Sequence, residues 1–446
     1  MPELWEDMLR TLSLRDHNTR VVVLGVSMLG LAAGLVGTFM VLRKRALLTD
    51  AVSHATLPGI AAAFMLMVAF GGSGRSLSGL LLGAAVFGVL GMLGVQAIRK
   101  YTRLKDDVAL GIVLSVFFGL GVAMLGLVQE MRQGHAAGID RFIYGQAATM
   151  LGADAMTMLV MASIVVAACA LLFKEFTLVC FDEQYAGAQG WPVGMIDVVM
   201  MGLVVAVTVI GLQAVGLILV VAMLIVPPAA ARFWTDNLLR MGLVAGVIGL
   251  VSGYLGATVS GMAPRLPTGP IIVLVATGVF VVSLLAGTRR GVLVRAWRHV
   301  QSVRRTGLQH LMRAAFEHAE LAGDEPFAAG DLLDRRSWSK RELSRLLRRA
   351  QRYGWVVPTS DDRWRLSDAG RREARRVVRN HRLWELFLIE HADIAPSHVD
   401  RDADRIEHVL GEAMVEQLER TLRTRGEAVA VPASPHRIGG DDKVTR

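Results

Sequence analysis

Two side chains able to hold a metal cation stand one helical turn apart in an otherwise apolar stretch, LLTDAVSHATLPG: Asp50 and His54. Positions i and i+4 of a helix share a face, so the carboxylate and the imidazole would converge. Ionisable groups at membrane depth are costly, and they face a polar pathway or a partner rather than lipid. Carboxylate oxygen and imidazole nitrogen suit manganese, iron(II) or zinc, and a transport site needs few enough ligands to release its ion. The competing reading is a helix cap or a local ion pair, because Arg45 lies five residues upstream.

A second constellation lies near the C-terminus. His381 and Glu385 are one turn apart, Asp404, Glu407 and His408 follow the i, i+3, i+4 pattern, and Asp400 precedes them by a turn. Two such helices facing each other could assemble a six-ligand, mostly oxygen site suited to manganese or iron. Solvated helix-surface charge is the plainer alternative. Arg341, Arg345, Arg348, Arg349 and Arg352 form a basic stripe, with Arg363 and Arg365 nearby. Such a stripe can neutralise phosphates; in a domain tethered to a membrane, anionic lipid headgroups, an ATPase surface or self-contact are favoured over DNA.

The elements that must position these residues follow from hydropathy. The chain has 446 residues, 53% of them hydrophobic, with a mean hydropathy of +0.45, too apolar for an ordinary soluble protein. Lysine and arginine number 14 between Val21 and Thr288 but 31 between Arg289 and Arg446. That step divides lipid-facing from water-facing chain. The net charge of +9 is what basic loops of a membrane protein would give, and by itself does not imply nucleic acid.

Apolar runs long enough to cross a bilayer as helices span Val21–Leu42, Asp50–Phe70, Ser78–Ile98, Asp107–Val128, Ala155–Phe173, Met195–Leu212, Ala214–Phe233, Leu239–Thr258 and Pro270–Gly287. Only Gln213 separates the sixth and seventh, which leaves a tight hairpin or one broken helix. Placing the N-terminus outside puts Arg43, Lys44, Arg45, Arg99, Lys100, Arg103, Lys105, Lys174, Arg232 and Arg240 inside, against Arg75, Arg132, Arg141 and Arg265 outside. Everything after Arg289 is then cytoplasmic. Residues 1–20, with acidic groups where a signal peptide would be basic, read as a surface lead-in. Gly30, Gly34 and Gly37 would let helices pack closely, and neither Cys169 nor Cys180 implies a disulfide framework.

Asp182, Glu183, Gly187 and Gly190 fall in a polar break between two spans on the inside face, where the chain could turn sharply and present a compact surface. No Gly-x-x-x-x-Gly-Lys-Ser/Thr phosphate loop occurs, so the chain is expected not to be an enzyme, and any ATP hydrolysis must come from a partner. The segment 304–370 shows two short helices, a turn and a strand pair around Pro358–Arg365, the order of a winged helix-turn-helix. Residues 371–425 read as helices, 289–303 as a linker and 426–446 as a polar tail.

LLTDAVSHATLPGIAAAF closely resembles the signature of the manganese/zinc/iron permease family of ABC importers. FDEQYAGAQGWPVGMIDVVMMGLVVAVTVIGLQAVGLILVVAMLIVPPAAARF resembles a second block of the same family, and the likeness extends over 21–288. It implies a metal route through Asp50 and His54, and a short helix in Asp182–Pro192 that docks into a separate ABC ATPase subunit. It also implies an extracytoplasmic metal-binding protein and a second permease copy or sibling permease. NHRLWELFLIEHADIAPSHVDRDADRIEHVL resembles the metal-binding and dimerisation region of iron- and manganese-dependent repressors. That likeness puts His381, Glu385, Asp400, Asp404, Glu407 and His408 on ligand positions, with Asp400 in place of the usual histidine. His310 and Arg313 replace the carboxylate or sulfur ligands of the repressors' first helix.

The expected molecule is therefore an all-α integral membrane protein with about eight or nine transmembrane helices and a C-terminal cytoplasmic winged-helix plus metal-sensor-like domain. It would lie in the bacterial inner membrane and import manganese, zinc or iron(II). It would hold no permanent cofactor beyond a regulatory manganese or iron in the tail. The rivals are a membrane-anchored metal-dependent transcriptional regulator and a permease for a metal chelate.

Overall fold

The computed structural model describes residues 17–72, 74, 76–131, 152–262, 267–323, 325–333, 338–359 and 361–392, and the chain divides into two units, Met1–Arg295 and Ala296–Arg446. The first unit is helical throughout its described residues. Its elements are α1 (His17–Leu42), α2 (Ala46–Ala69), α3 (Leu77–Tyr101), α4 (Asp106–Glu130), α5 (Gly152–Leu171), α6 (Phe173–Phe181), α7 (Glu183–Ala188), α8 (Val193–Val215), α9 (Leu217–Ala231), α10 (Leu238–Gly261) and α11 (Thr268–Ala286). Among the described residues eight helices are long and apolar enough to cross a membrane, and α9 is a shorter apolar helix.

The expected sixth and seventh spans become α8 and α9, hinged at Gly216 with φ 80° and ψ 167°, a conformation open essentially to glycine alone. A Cβ placed on Gly211 would meet the Val220 side chain at 2.4 Å, whereas nine residues of straight helix would separate them by about 13 Å. The chain therefore doubles back, and the hairpin is the alternative that forms. Gly216→Ala is expected to cost about 1–3 kcal/mol, read as a lower melting temperature of the purified protein; an unchanged melting temperature would mean that the hinge can relax.

Helices α1 and α10 approach most intimately where Gly30 faces Gly249. A Cβ on Gly30 would lie 2.2 Å from the Gly249 carbonyl oxygen, and one on Gly249 would lie 2.0 Å from that of Gly30. Small residues permit this contact, which in lipid rests on van der Waals packing rather than on a hydrophobic force.

The second unit contains most of α12 (Val292–Ala322), then β1 (Phe327–Ala328), α13 (Ala329–Leu333), α14 (Lys340–Arg352), β2 (Val356–Pro358), β3 (Arg363–Leu366) and α15 (Asp368–Ala392). The stretch 289–303, expected as a linker, is thus helical from Val292 onward. Strands β2 and β3 form the expected pair, with Val356 opposite Leu366. β1 adds a third strand on the other edge of β3, with Phe327 opposite Trp364; at two residues it is too short to show an alternating pattern in sequence. Leu308, Leu311, Leu343, Leu347, Val356 and Leu366 share one core. Ser339 caps α14 by accepting from the Glu342 N–H at 3.2 Å. Asp400, Asp404, Glu407 and His408 lie outside the described residues.

Candidate metal pathway and coupling site

Asp50 and His54 lie on α2, about 6 and 12 Å along the axis from Ala46 at a rise of about 1.5 Å per residue. The structure brings the pair together: Asp50 Oδ1 is 3.4 Å from His54 Nε2, with the side chains 37% and 21% exposed. His54 packs edge-on against Phe118 of α4, ring centres 4.9 Å apart. Helix α4 comes this close because Gly121, one turn beyond Phe118, faces Leu57 and Pro58 of α2, where a Cβ would meet them at 2.8 and 3.0 Å. Pro58 has no N–H to offer the His54 carbonyl four residues back, and His54 Nδ1 is buried with no hydrogen-bond partner among the described residues.

Arg45 does not pair with Asp50. It is the residue before α2 and makes no side-chain cap; its guanidinium lies 2.5 and 2.6 Å from the two carboxylate oxygens of Asp197 on α8. Arg43 donates to the same carboxylate at 3.1 Å and to the Val179 carbonyl at 2.8 Å, and it lies 3.0 Å from Glu183. Arg99 at the end of α3 bonds Asp106 at the start of α4 at 2.8 Å and lies 3.8 Å from Asp197. Asp197, Arg43 and Arg45 are largely shielded from solvent. One carboxylate thus joins the α1–α2 turn, the α3–α4 turn and the base of α8. Sequence reading passed over Asp197, although a lone carboxylate within VGMIDVVMM is the signal that an apolar helix holds a partnered ion.

Lys44, between the two arginines, has φ 57°, a left-handed conformation uncommon outside glycine. The double grip of Arg43 and Arg45 on Asp197 holds that turn in place. Lys44→Gly is expected to raise the stability of the purified protein by a few tenths to about 1 kcal/mol, seen as a higher melting temperature.

Of the residues in the polar break, Glu183 and Gly187 lie in a distinct six-residue helix, α7, which Asp182 precedes and Gly190 follows. The Asp182 carboxylate caps it by accepting from the Tyr185 N–H at 2.8 Å, and Gly190 (φ 81°) ends it, with the Trp191 N–H donating to the Ala186 carbonyl at 3.1 Å. Tyr185 and Trp191 are exposed, so the segment presents aromatic surface outward while Glu183 reaches back to Arg43.

In the second unit, His381 and Glu385 are both buried, with His381 Nε2 3.1 Å from Glu385 Oε1. The other ring nitrogen, Nδ1, is 3.2 Å from the guanidinium of Arg313 on α12, which also donates to Glu317 at 2.6 Å. Arg382 bonds Glu320 beside this line. Arg341, Arg345, Arg348 and Arg352 are exposed along α14 and Arg349 is half-buried, opposite the buried Leu343, Leu346, Leu347 and Ala350.

Residues 15–287 match the family model described as the ABC 3 transport family. The chain belongs to that family. As an ABC 3 chain it is the multi-pass membrane permease subunit of an ABC transporter, not the ATPase. It is 34% identical over 391 residues, 88% of each chain, to the manganese transport system membrane protein MntC of Bacillus subtilis. It is 44% identical over 283 residues, 64% of this chain and 93% of the relative, to the zinc transport system membrane protein TroC of Treponema pallidum. Among solved structures it resembles PsaBC from Streptococcus pneumoniae, in complex with Fab, with a TM-score of 0.55 at 28% identity, covering 64% of this chain and 97% of that one. Residues 367–427 match the iron-dependent repressor metal-binding and dimerisation domain.

The repressor-like segment implies a metal, and the described residues of this ABC 3 permease do not fit one at His381. A guanidinium only donates, so His381 Nδ1 must accept from Arg313; the ring proton then sits on Nε2 and points at Glu385. Neither nitrogen keeps a lone pair for a cation, and Arg313 itself brings positive charge to within hydrogen-bond distance of the ring.

Proposed function

We propose that this ABC permease imports a bare divalent transition metal, manganese first and zinc or iron(II) next, by way of Asp50 and His54. The Asp50–His54 pair carries the reading: oxygen and nitrogen donors 3.4 Å apart on one face of α2, their side chains partly open. A cation about 2.1 Å from each donor would see them at roughly the tetrahedral angle. A two-donor site binds weakly enough to let the ion move on. Manganese is placed first because the relative aligned over 391 residues, more than the 295 of the first unit, is a manganese transport protein.

In this account two permease copies, or one and a sibling, work with two ATPase subunits, and an extracytoplasmic binding protein delivers the ion. The α7 segment docks into the ATPase, which sets the α1–α2 and α3–α4 turns and the second unit on the cytoplasmic side. ATP-driven closure would move α7, and through Glu183–Arg43 and the Asp197 carboxylate the base of α2, changing access to Asp50 and His54. The order of α12, α13, α14 and the β2–β3 pair supports a winged helix-turn-helix in 304–370. Its outward arginines suit anionic lipid or the ATPase.

The test is ATP consumption by the reconstituted permease, ATPase and binding protein as each ion is supplied. Manganese or zinc is expected to accelerate hydrolysis and to accumulate in the vesicles. Acceleration by a metal chelate, with free ions inert, would overturn the reading.

A further inference from the structure

We infer that the Arg313 guanidinium stands in for the metal at the His381–Glu385 pair, so that α12 and α15 are joined by the chain's own cation and this part of the unit assembles without a metal ion. The inference concerns the second unit alone and is independent of the transport reading.

The groups form a line across the two helices: Glu317 to Arg313 at 2.6 Å, Arg313 to His381 at 3.2 Å, and His381 to Glu385 at 3.1 Å. Arg313, His381 and Glu385 are at most 4% exposed. An ionised group this deep is stable only with hydrogen-bonded partners, and here each group supplies what its neighbour lacks. Arg313 gives protons and accepts none, Glu317 and Glu385 accept, and the imidazole does both. Arginine stays charged under all ordinary conditions, so unlike a bound ion this cation cannot be diluted away. A repressor's cation can leave when its concentration falls and so carries information; a side chain cannot. The Arg313–His381 contact, backed by Glu385, is therefore a fixed strut between α12 and α15.

The direct test uses the full chain in detergent with the transport pair removed (Asp50→Ala with His54→Ala), so that bound ions report on the rest of the molecule. Equilibrium dialysis against manganese, and separately against cobalt, is expected to give the same number of bound ions per chain with and without His381→Gln. Ions that survive His381→Gln lie elsewhere and agree with the proposal. Arg313→Glu in the same background exchanges the internal cation for a carboxylate and frees His381 Nδ1, and is expected to gain one bound manganese per chain that His381→Gln then removes. A bound ion that His381→Gln abolishes while Arg313 is intact would overturn the proposal, whether or not the Arg313 variant folds.

Discussion

Asp197→Ala is expected to destabilise the permease by about 3–5 kcal/mol, because it leaves the Arg43 and Arg45 guanidiniums buried beside an uncompensated void. These side chains are 6% and 7% exposed, so water cannot readily replace the lost partner. The carboxylate is also the point where the turn before α2 meets the base of α8, and Glu183 of α7 reaches the same cluster through Arg43. ATP hydrolysis by the assembled transporter is therefore expected to lose its dependence on metal even where the variant is recovered folded. Arg45→Ala alone should cost a similar amount, and the double variant less than the sum of the two, since removing both charges leaves less unpaired. Thermal unfolding of the three variants, with ATPase assays on the same preparations, measures both effects. Additive losses would mean that the two residues act independently.

Asp50→Asn and His54→Ala are each expected to reduce metal uptake by at least about 100-fold, since the first exchanges an anionic oxygen donor for a weaker neutral one and the second removes the nitrogen donor outright, and even groups that only support a metal ligand are worth about 10–100-fold. Both side chains are partly exposed and outside the Asp197 cluster, so the melting temperature should shift far less than in Asp197→Ala. Uptake into vesicles, measured with folded fraction as a control, separates the two kinds of loss. Wild-type uptake by either variant would remove the pair from the route.

Much of the first unit was legible in sequence because lipid enforces a simple rule: long apolar runs must close their backbone hydrogen bonds as helices. The expected spans correspond to helices α1–α5 and α8–α11, with ends differing by a few residues. The reversal at Gly216 could not be chosen from sequence, since a glycine permits a positive φ without requiring it. Asp50 and His54 were legible because their spacing matches the helical repeat. Asp197 carried the signal of a partnered ion, but its partners were not legible, since they lie 152 and 154 residues away in sequence and only tertiary packing unites them. In the tail, the spacing of His381 and Glu385 suggested two metal ligands, and the same spacing serves a hydrogen-bonded pair. What distinguishes the two is Arg313, 68 residues distant, whose departure from the repressor pattern was visible while its contact with His381 was not.

The central claim is that the transported ion is held by the His54 nitrogen and the Asp50 oxygen. Electron spin-echo spectroscopy of manganese bound to the purified permease–ATPase assembly examines that bond most directly. The expected result is a nitrogen modulation from one imidazole that disappears in His54→Gln and persists in His381→Gln. A manganese signal showing only water and oxygen around the ion, or a nitrogen modulation untouched by His54→Gln, would contradict the account.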